Sequence, residues 1–404
     1  MSEADPTAPR TEKSAFVASE LTALMKAFQH EAGDVVVRRH SAILSEVVAI
    51  APRRKSCAAC AGAPVVSFDA GLDHGKGSGM LRAAIHGLGR WGNRLVESVQ
   101  TSGKIRIVKG VSRNPGKHAR FAKDNGITLV ASYAEALSHP QLDAVVLATP
   151  HSLHHQQIVE AARAGKHVYV EKPITLTRAS AEDAVAACRE AGVTLGLGFN
   201  RRFAPAYVEM MRRIRAGEIG EVLHVEGQHS GPTGYRLKAG NWRAMRAEAP
   251  AGGMTARGIH ALDGMIQIAG PVSSVYAFSE RRKLSPDVEL DDTTSMLLRF
   301  AGGTTGYLAA VFVTGDFYRI HAFGSKGWLE MRGDNELVAC ALDGRPETTT
   351  FPAVDKEKLV LEAFADAVAA RELYMVPPEQ AVNGIAVLEA IVASAQSGKP
   401  VALA

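Results

Sequence analysis

From Leu81 onward the chain alternates short apolar runs with segments of helical period, and this alternation constrains the fold more than any other feature. "LRAAIHG", "KIRIVKGVSR", "LDAVVLATP", "HVYVEKP" and "VTLGLGFN" read as strands; "RWGNRLVESVQ", "PGKHARFAKDNG", "HSLHHQQIVEAARAG" and "RASAEDAVAACREAG" read as the helices between them. Strands without a polar face are buried on both sides, and a helix after each strand leaves parallel neighbours as the natural pairing. The expectation over residues 80–201 is an α/β fold, a doubly wound parallel sheet with helices on both faces.

After Asn200 the period changes to two, in "EVLHVEGQHS", "VSSVYAFSER", "TTSMLLRFAGGTTGYLAAVFV" and "YRIHAFGSKGWLEMRG". Residues 202–404 therefore read as an α+β domain with a large, mostly antiparallel open sheet, closed by helical pattern from Lys356 to Ser397 with a break near "YMVPPEQ". Residues 1–79 read as a poorly ordered extension, the glycine-rich "HGKGSGM" separating them from the first strand.

The charge balance of +4 over 404 residues, with no basic run interleaved with aromatics, argues against a nucleic-acid partner. No apolar run reaches the roughly 20 residues of a membrane span, and "MSEADPTAPRTEK" is too acidic for a secretory leader, so the cytoplasm is the expected compartment. Arg53-Arg54 keeps twin-arginine export as the lesser alternative. Cys57 and Cys60 form a single C-x-x-C with no second pair of ligands, while Cys188 and Cys340 read as small buried hydrophobes, so no metal is expected.

"HGLGRWGN" places Gly87, Gly89 and Gly92 in G-x-G-x-x-G spacing between the first strand and the first helix, with Leu88, Arg90 and Trp91 between them. The first glycine permits a tight turn, the second lets amides approach a pyrophosphate, and the third lets helix pack on strand. This makes 80–201 a Rossmann-type nucleotide-binding domain. The second strand ends at Ser112, Arg113 and Asn114, where an NAD enzyme commonly carries an acid for the ribose hydroxyl. A guanidinium and a hydroxyl suit a 2′-phosphate, so NADP(H) is expected in preference to NAD(H), which remains possible.

"ATPHSLHHQQIVEAARAGKHVYVEKPITLT", "GFNRRFAPAY", "NWRAMRAEAPAGGMTARGIHALD" and "VPPEQAVNGIAVLEAIVASAQSGKPVAL" occur in the order that resembles the glucose-fructose oxidoreductase and inositol dehydrogenase (Gfo/Idh/MocA) family. The resemblance implies hydride transfer in a cleft between the two domains, and a homodimer or homotetramer built on the open sheet. Lys172 of the Glu171-Lys172-Pro173 segment would bind the reacting oxygen, and His260 would be the acid/base. Thr149, Pro150 and His151 would line the nicotinamide together with Glu171 and Asn200; Arg201, Tyr235, Trp242 and Arg243 would face the substrate. His154 and His155 read as polar surface or cleft residues.

The aspartate that often assists the histidine is replaced by Ala256, which leaves Thr255 or Asp263 as candidates to orient His260. The function expected is NAD(P)-dependent oxidation or reduction of a secondary alcohol or ketone in a small polyhydroxylated molecule: a sugar, cyclitol or sugar-derived acid. The alternatives are a non-catalytic NADP(H)-binding sensor or partner protein, or a reductase of imines or conjugated double bonds.

Overall fold

A computed structural model describes residues 79–403; the expectations for the N-terminal extension, the Cys57 and Cys60 pair and Arg53-Arg54 lie outside the described residues. Six strands, β1 (Leu81–His86), β2 (Ile105–Val111), β3 (Thr128–Val130), β4 (Ala144–Leu147), β5 (His167–Val170) and β6 (Leu195–Leu197), form a parallel sheet in the order β3-β2-β1-β4-β5-β6. The order reverses between β1 and β4, where Ile85 pairs with Val146, and this is where such sheets open a crevice for ligand. All four residues of β4 are buried, as a strand covered on both faces requires.

The connecting helices are α1 (Arg90–Ser98), α2 (Pro115–Asp124), α3 (Tyr133–Leu137), α4 (His154–Arg163) and α5 (Arg178–Glu190). Local chemistry starts several of them: Asn114 accepts from the Lys117 amide before α2, and Thr177 and Ser180 cap one another's backbone at α5. The helix expected from His151 begins instead as a 3₁₀ turn, His151–Leu153, and becomes α-helical at His154.

After α6 (Pro205–Arg215) the second sheet has nine strands in the order β14-β13-β12-β11-β7-β10-β9-β8-β15, with only β7 and β10 parallel. They are β7 (Val222–Ser230), β8 (Val272–Glu280), β9 (Thr293–Phe300), β10 (Thr305–Val311), β11 (Phe317–Gly324), β12 (Gly327–Arg332), β13 (Glu336–Ala341), β14 (Glu347–Thr350) and β15 (Val401–Ala402). One face, including Val275, Met296, Leu298 and Leu308, is buried with α7 (Ile259–Ala269) and α9 (Pro378–Ser397) packed on the sheet. On the other face Tyr276, Leu297, Tyr307, Glu226 and His321 stand in register across five strands, and Leu297 is 59% exposed.

Helix α8 (Lys356–Ala370) follows the second sheet in the chain but packs on the first. Phe364 meets Tyr169 at a ring separation of 5.8 Å, and a β-carbon at Gly196 would press on its ring. Arg94–Asp355 and Lys104–Asp366 ion pairs fasten the same helix to the first domain. The division expected at residues 201 and 202 therefore describes the chain order, while by packing α8 belongs to the Rossmann layer. Cys188 is buried in α5, whereas Cys340, expected to be a core residue, is only half-buried in β13.

Candidate active site

The phosphate loop has the geometry its glycines demand. Gly87 has φ of 109°, and a β-carbon there would collide with the Ala148 carbonyl; one at Gly92 would overlap the Gly87 carbonyl oxygen. Gly89, in contrast, faces open space, and no side chain caps the amides at the start of α1. An uncapped helix N-terminus behind an open glycine is a cradle for a pyrophosphate. Leu88 is buried against Gly110 of β2, and Arg90 makes no ion pair among the described residues.

At the end of β2 the Ser112 hydroxyl accepts from the Asn114 amide at 3.1 Å, and Asn114 caps α2. Arg113 is exposed and forms no ion pair among the described residues, yet it lies near His86. Burial first, and then the Arg113 charge, push the His86 imidazole down to about 4. The residues present fit a dinucleotide: the glycine loop and the amides of α1 would hold its pyrophosphate.

The C-terminal ends of β4 and β5 are fastened together by His154. It is fully buried, which corrects the expectation of a surface or cleft residue, and its ring nitrogens lie 2.8 and 3.2 Å from the carbonyl oxygens of Pro173 and Thr149. His155 is the exposed member and pairs with Asp183 at 2.7 Å. His151 donates from Nδ1 to the Glu248 carbonyl at 2.6 Å and meets the Trp242 ring edge-on at 4.9 Å. Ser152 binds the Glu248 carboxylate with both amide and hydroxyl, so the segment around Trp242 in the second domain is tied to the strand end that Thr149 and Pro150 form. Burial pushes the His151 imidazole down to about 3.

Glu171 and Lys172 follow β5, with a cis peptide between Lys172 and Pro173. Glu171 packs over Gly198, with the Trp91 indole beside it, and burial raises its carboxyl. The Lys172 ammonium is pushed below the usual lysine range, chiefly by burial and further by Arg243, Arg201 and Arg257, against the pull of Glu171. Its Nζ donates to the Ala256 carbonyl oxygen at 2.7 Å. The position where a carboxylate was expected thus contributes a backbone acceptor.

Ala256 lies in a π-helical turn, Met254–Gly258, that runs directly into α7. His260, in the first turn of α7, is half-buried and its Nδ1 has no partner. Burial, then Lys172, Arg201, His229 and Arg257, depress its imidazole well below the ordinary value. Neither expected orienting group serves it. Thr255 accepts from the Ala251 amide at 3.1 Å, and Asp263 makes a two-pronged, buried ion pair with Arg202 at 2.7 and 2.8 Å. His260 is instead walled by rings: Phe199 at 6.3 Å, edge-on, and His229 at 5.7 Å.

His229 was not singled out from the sequence. Its Nδ1 donates to the Arg257 carbonyl at 2.8 Å, and its ring lies 4.7 Å from Tyr318, over which Arg201 stacks at 4.1 Å. The alternation of "EVLHVEGQHS" gives no sign that one polar residue faces a cleft, and β11, which carries Tyr318, is distant in the chain.

Of the remaining expected residues, Asn200 donates to Glu357 of α8 at 2.7 Å, and Arg94 binds the same carboxylate, so its amide ties β6 to α8. Tyr235 is 64% exposed and donates to the Val313 carbonyl; no described contact joins it to Lys172 or His260. Arg243 lies flat on Trp242 at 4.0 Å without an ion pair among the described residues. No group of three or more metal-ligating side chains exists among the described residues.

Two family models match the chain. The model of the oxidoreductase family with an NAD-binding Rossmann fold covers residues 81–199, and that of the GFO/IDH/MocA C-terminal domain covers residues 207–330. The chain is similar to D-xylose 1-dehydrogenase (NADP(+)) 2 of Haloferax volcanii, 31% identical over 306 residues that span 72% of this chain and 90% of the relative. It is also similar to scyllo-inositol 2-dehydrogenase (NAD(+)) of Bacillus subtilis, 38% identical over 149 residues, which span 36% of this chain and 44% of the relative. Among solved structures, aldose-aldose oxidoreductase from Caulobacter crescentus superposes with a TM-score of 0.73 at 27% identity, over 80% of this chain and all of the other.

Proposed function

The chain belongs to the Gfo/Idh/MocA oxidoreductases, NAD(P)-dependent enzymes of sugar and cyclitol dehydrogenase type, and from that premise we propose that it uses NADP(H) in preference to NAD(H) to interconvert a secondary alcohol and a ketone on a sugar, cyclitol or sugar-derived acid. The observation that carries the reading is the convergence of Lys172, at the end of β5 in the nucleotide-binding sheet, with His260. Lys172 reaches the Ala256 carbonyl one turn before His260 and is the strongest charge acting on it.

When bound, the nicotinamide supplies the hydride acceptor or donor. The Lys172 ammonium stabilises negative charge that develops on the reacting oxygen. His260, held neutral by burial and by the cations around it, takes the hydroxyl proton in the oxidative direction. The same depression makes its imidazolium scarce near neutral pH, so oxidation has the better-prepared proton acceptor. Arg113 supports the choice of NADP(H), since an unpaired guanidinium attracts a phosphate more strongly than a hydroxyl.

The exposed Leu297 and Tyr307, in register with the half-buried Tyr276 on the open sheet, support a homodimer or homotetramer, and the compartment we propose is the cytoplasm. No helix among the described residues is long and apolar enough to cross a membrane. Ala256 supports a second reading, an NADP(H)-dependent sensor without turnover, because the carboxylate that would steady an imidazolium is missing.

The test is replacement of Lys172 by Ala. Oxidation of the best carbinol with NADP⁺ is expected to fall by about 10² or more, while NADPH titrated by fluorescence still binds. Unchanged turnover would remove the role given to Lys172, and binding without turnover in the unaltered protein would favour the sensor.

A further inference from the structure

The charges of Arg201 and Arg257 act on His260, and the acids that meet them do not fully balance them. Arg201 stacks on Tyr318 and binds Asp334 at 2.6 Å, but the same carboxylate also takes the Lys356 ammonium at 2.9 Å. Arg257 donates to the Ser230 carbonyl at 2.6 Å and to Asp316 at 2.7 Å, and the Asp316 side chain is 71% exposed, so water screens much of its charge. The position of Arg257 is built: a β-carbon at Gly231 would fall on its guanidinium.

Both arginines are linked to His260 through packed side chains or the turn before it. The Tyr318 ring that carries Arg201 is 4.7 Å from His229, which is 5.7 Å from His260. Arg257 shares the π-helical turn with Ala256, where Lys172 is anchored. A cluster of this sign in a half-buried cleft is unfavourable by itself and attracts an anion. Neither arginine stands at the phosphate loop or at the end of β2, so the cofactor's phosphates do not account for them.

We propose that the substrate is a polyhydroxylated carboxylate whose carboxylate is received by Arg201 and Arg257 while its carbinol lies against Lys172 and His260. This deepens, and rests on, the oxidoreductase reading of the same site. A planar carboxylate matches the forked N–H edge of a guanidinium, and Ala256 adds no carboxylate of its own beside the Lys172 anchor.

The experiment uses the full chain saturated with NADPH. Aldonates of four to six carbons and the alditols of the same skeletons are titrated as pairs, so that each pair differs only by a carboxylate against a hydroxymethyl group. The aldonate of the best pair is expected to bind at least tenfold more tightly, with an advantage that shrinks as salt is raised. Arg257→Gln and, separately, Arg201→Gln should each remove most of that advantage and leave alditol affinity within about threefold, with retained NADPH binding reporting that each variant folds.

Equal affinity within every pair, preference for alditols, or no binding by either class would overturn the proposal. Carboxylate preference with no NADP⁺ reduction would leave this assignment standing and remove the hydride-transfer reading. Turnover of alditols with no carboxylate preference would do the reverse.

Discussion

Replacement of Ala256 by Asp places a carboxylate one turn before a histidine whose surroundings are cationic. Coulomb attraction between unit charges about 6 Å apart, at an effective dielectric of about 20, is about 3 kcal/mol, or about 2 pH units. Two features reduce it. Ala256 is half-buried, so water reaches the new group, and Lys172, which already donates to the Ala256 carbonyl, competes for it. The expected upward shift of the His260 imidazole is therefore about 1 unit.

Oxidation needs the neutral imidazole and is lost as pH falls through its pKa, so raising that pKa moves the acid limb of kcat/KM to higher pH. Carbonyl reduction needs the imidazolium and gains at the same pH. Initial rates in both directions between pH 5 and 8, with NADP(H) saturating, measure the effect. An acid limb unmoved in Ala256→Asp, with NADPH binding intact, would refute His260 as the proton acceptor.

Lys172 must carry its proton to stabilise an oxyanion, and its ammonium is depressed to about 8, so turnover should fall as pH rises through that value; a flat profile to pH 10 would contradict its role. Replacing Arg113 with Gln should weaken NADP⁺ by about tenfold or more in KM and leave NAD⁺ nearly unchanged, a comparison made by titrating both cofactors at fixed substrate. Asp263→Asn leaves the Arg202 guanidinium, whose side chain is 1% exposed, with only the neutral Gln380 and Asn oxygens, and is expected to cost about 3–5 kcal/mol in urea unfolding; a cost below about 1 kcal/mol would contradict the buried pair.

The parallel domain was legible because its strands have no polar face and its glycines have no alternative: Gly87 and Gly92 sit where a β-carbon meets a carbonyl. The placement of Lys172 after β5 and of His260 at the start of α7 was legible through short motifs that fix a side chain to a strand end or a helix start. What the sequence concealed is cross-chain pairing. Asn200 is turned to Glu357, Asp263 to Arg202, and Glu248 to Ser152, and each partner lies in a segment whose own pattern reveals only polarity.

His154 was misjudged for a related reason. Two imidazoles side by side look alike in sequence, and only the carbonyls of Pro173 and Thr149 separate the buried ring from the exposed one. The same limitation hid His229, which β7 brings to His260, and Tyr318 and Arg257, which β11 and the π-helical turn bring to His229.

The cleft proposed here moves hydride between NADP(H) and a carbinol carbon. Absorbance at the reduced-nicotinamide band, recorded with the purified chain, NADP⁺ or NAD⁺, and a panel of sugars, cyclitols and sugar acids, tests it most directly. The expected result is reduction of NADP⁺, in preference to NAD⁺, by one chemically related group of substrates. Tight NADPH binding with no reduction by any carbinol in the panel, and no NADPH oxidation by the corresponding ketones, would contradict it.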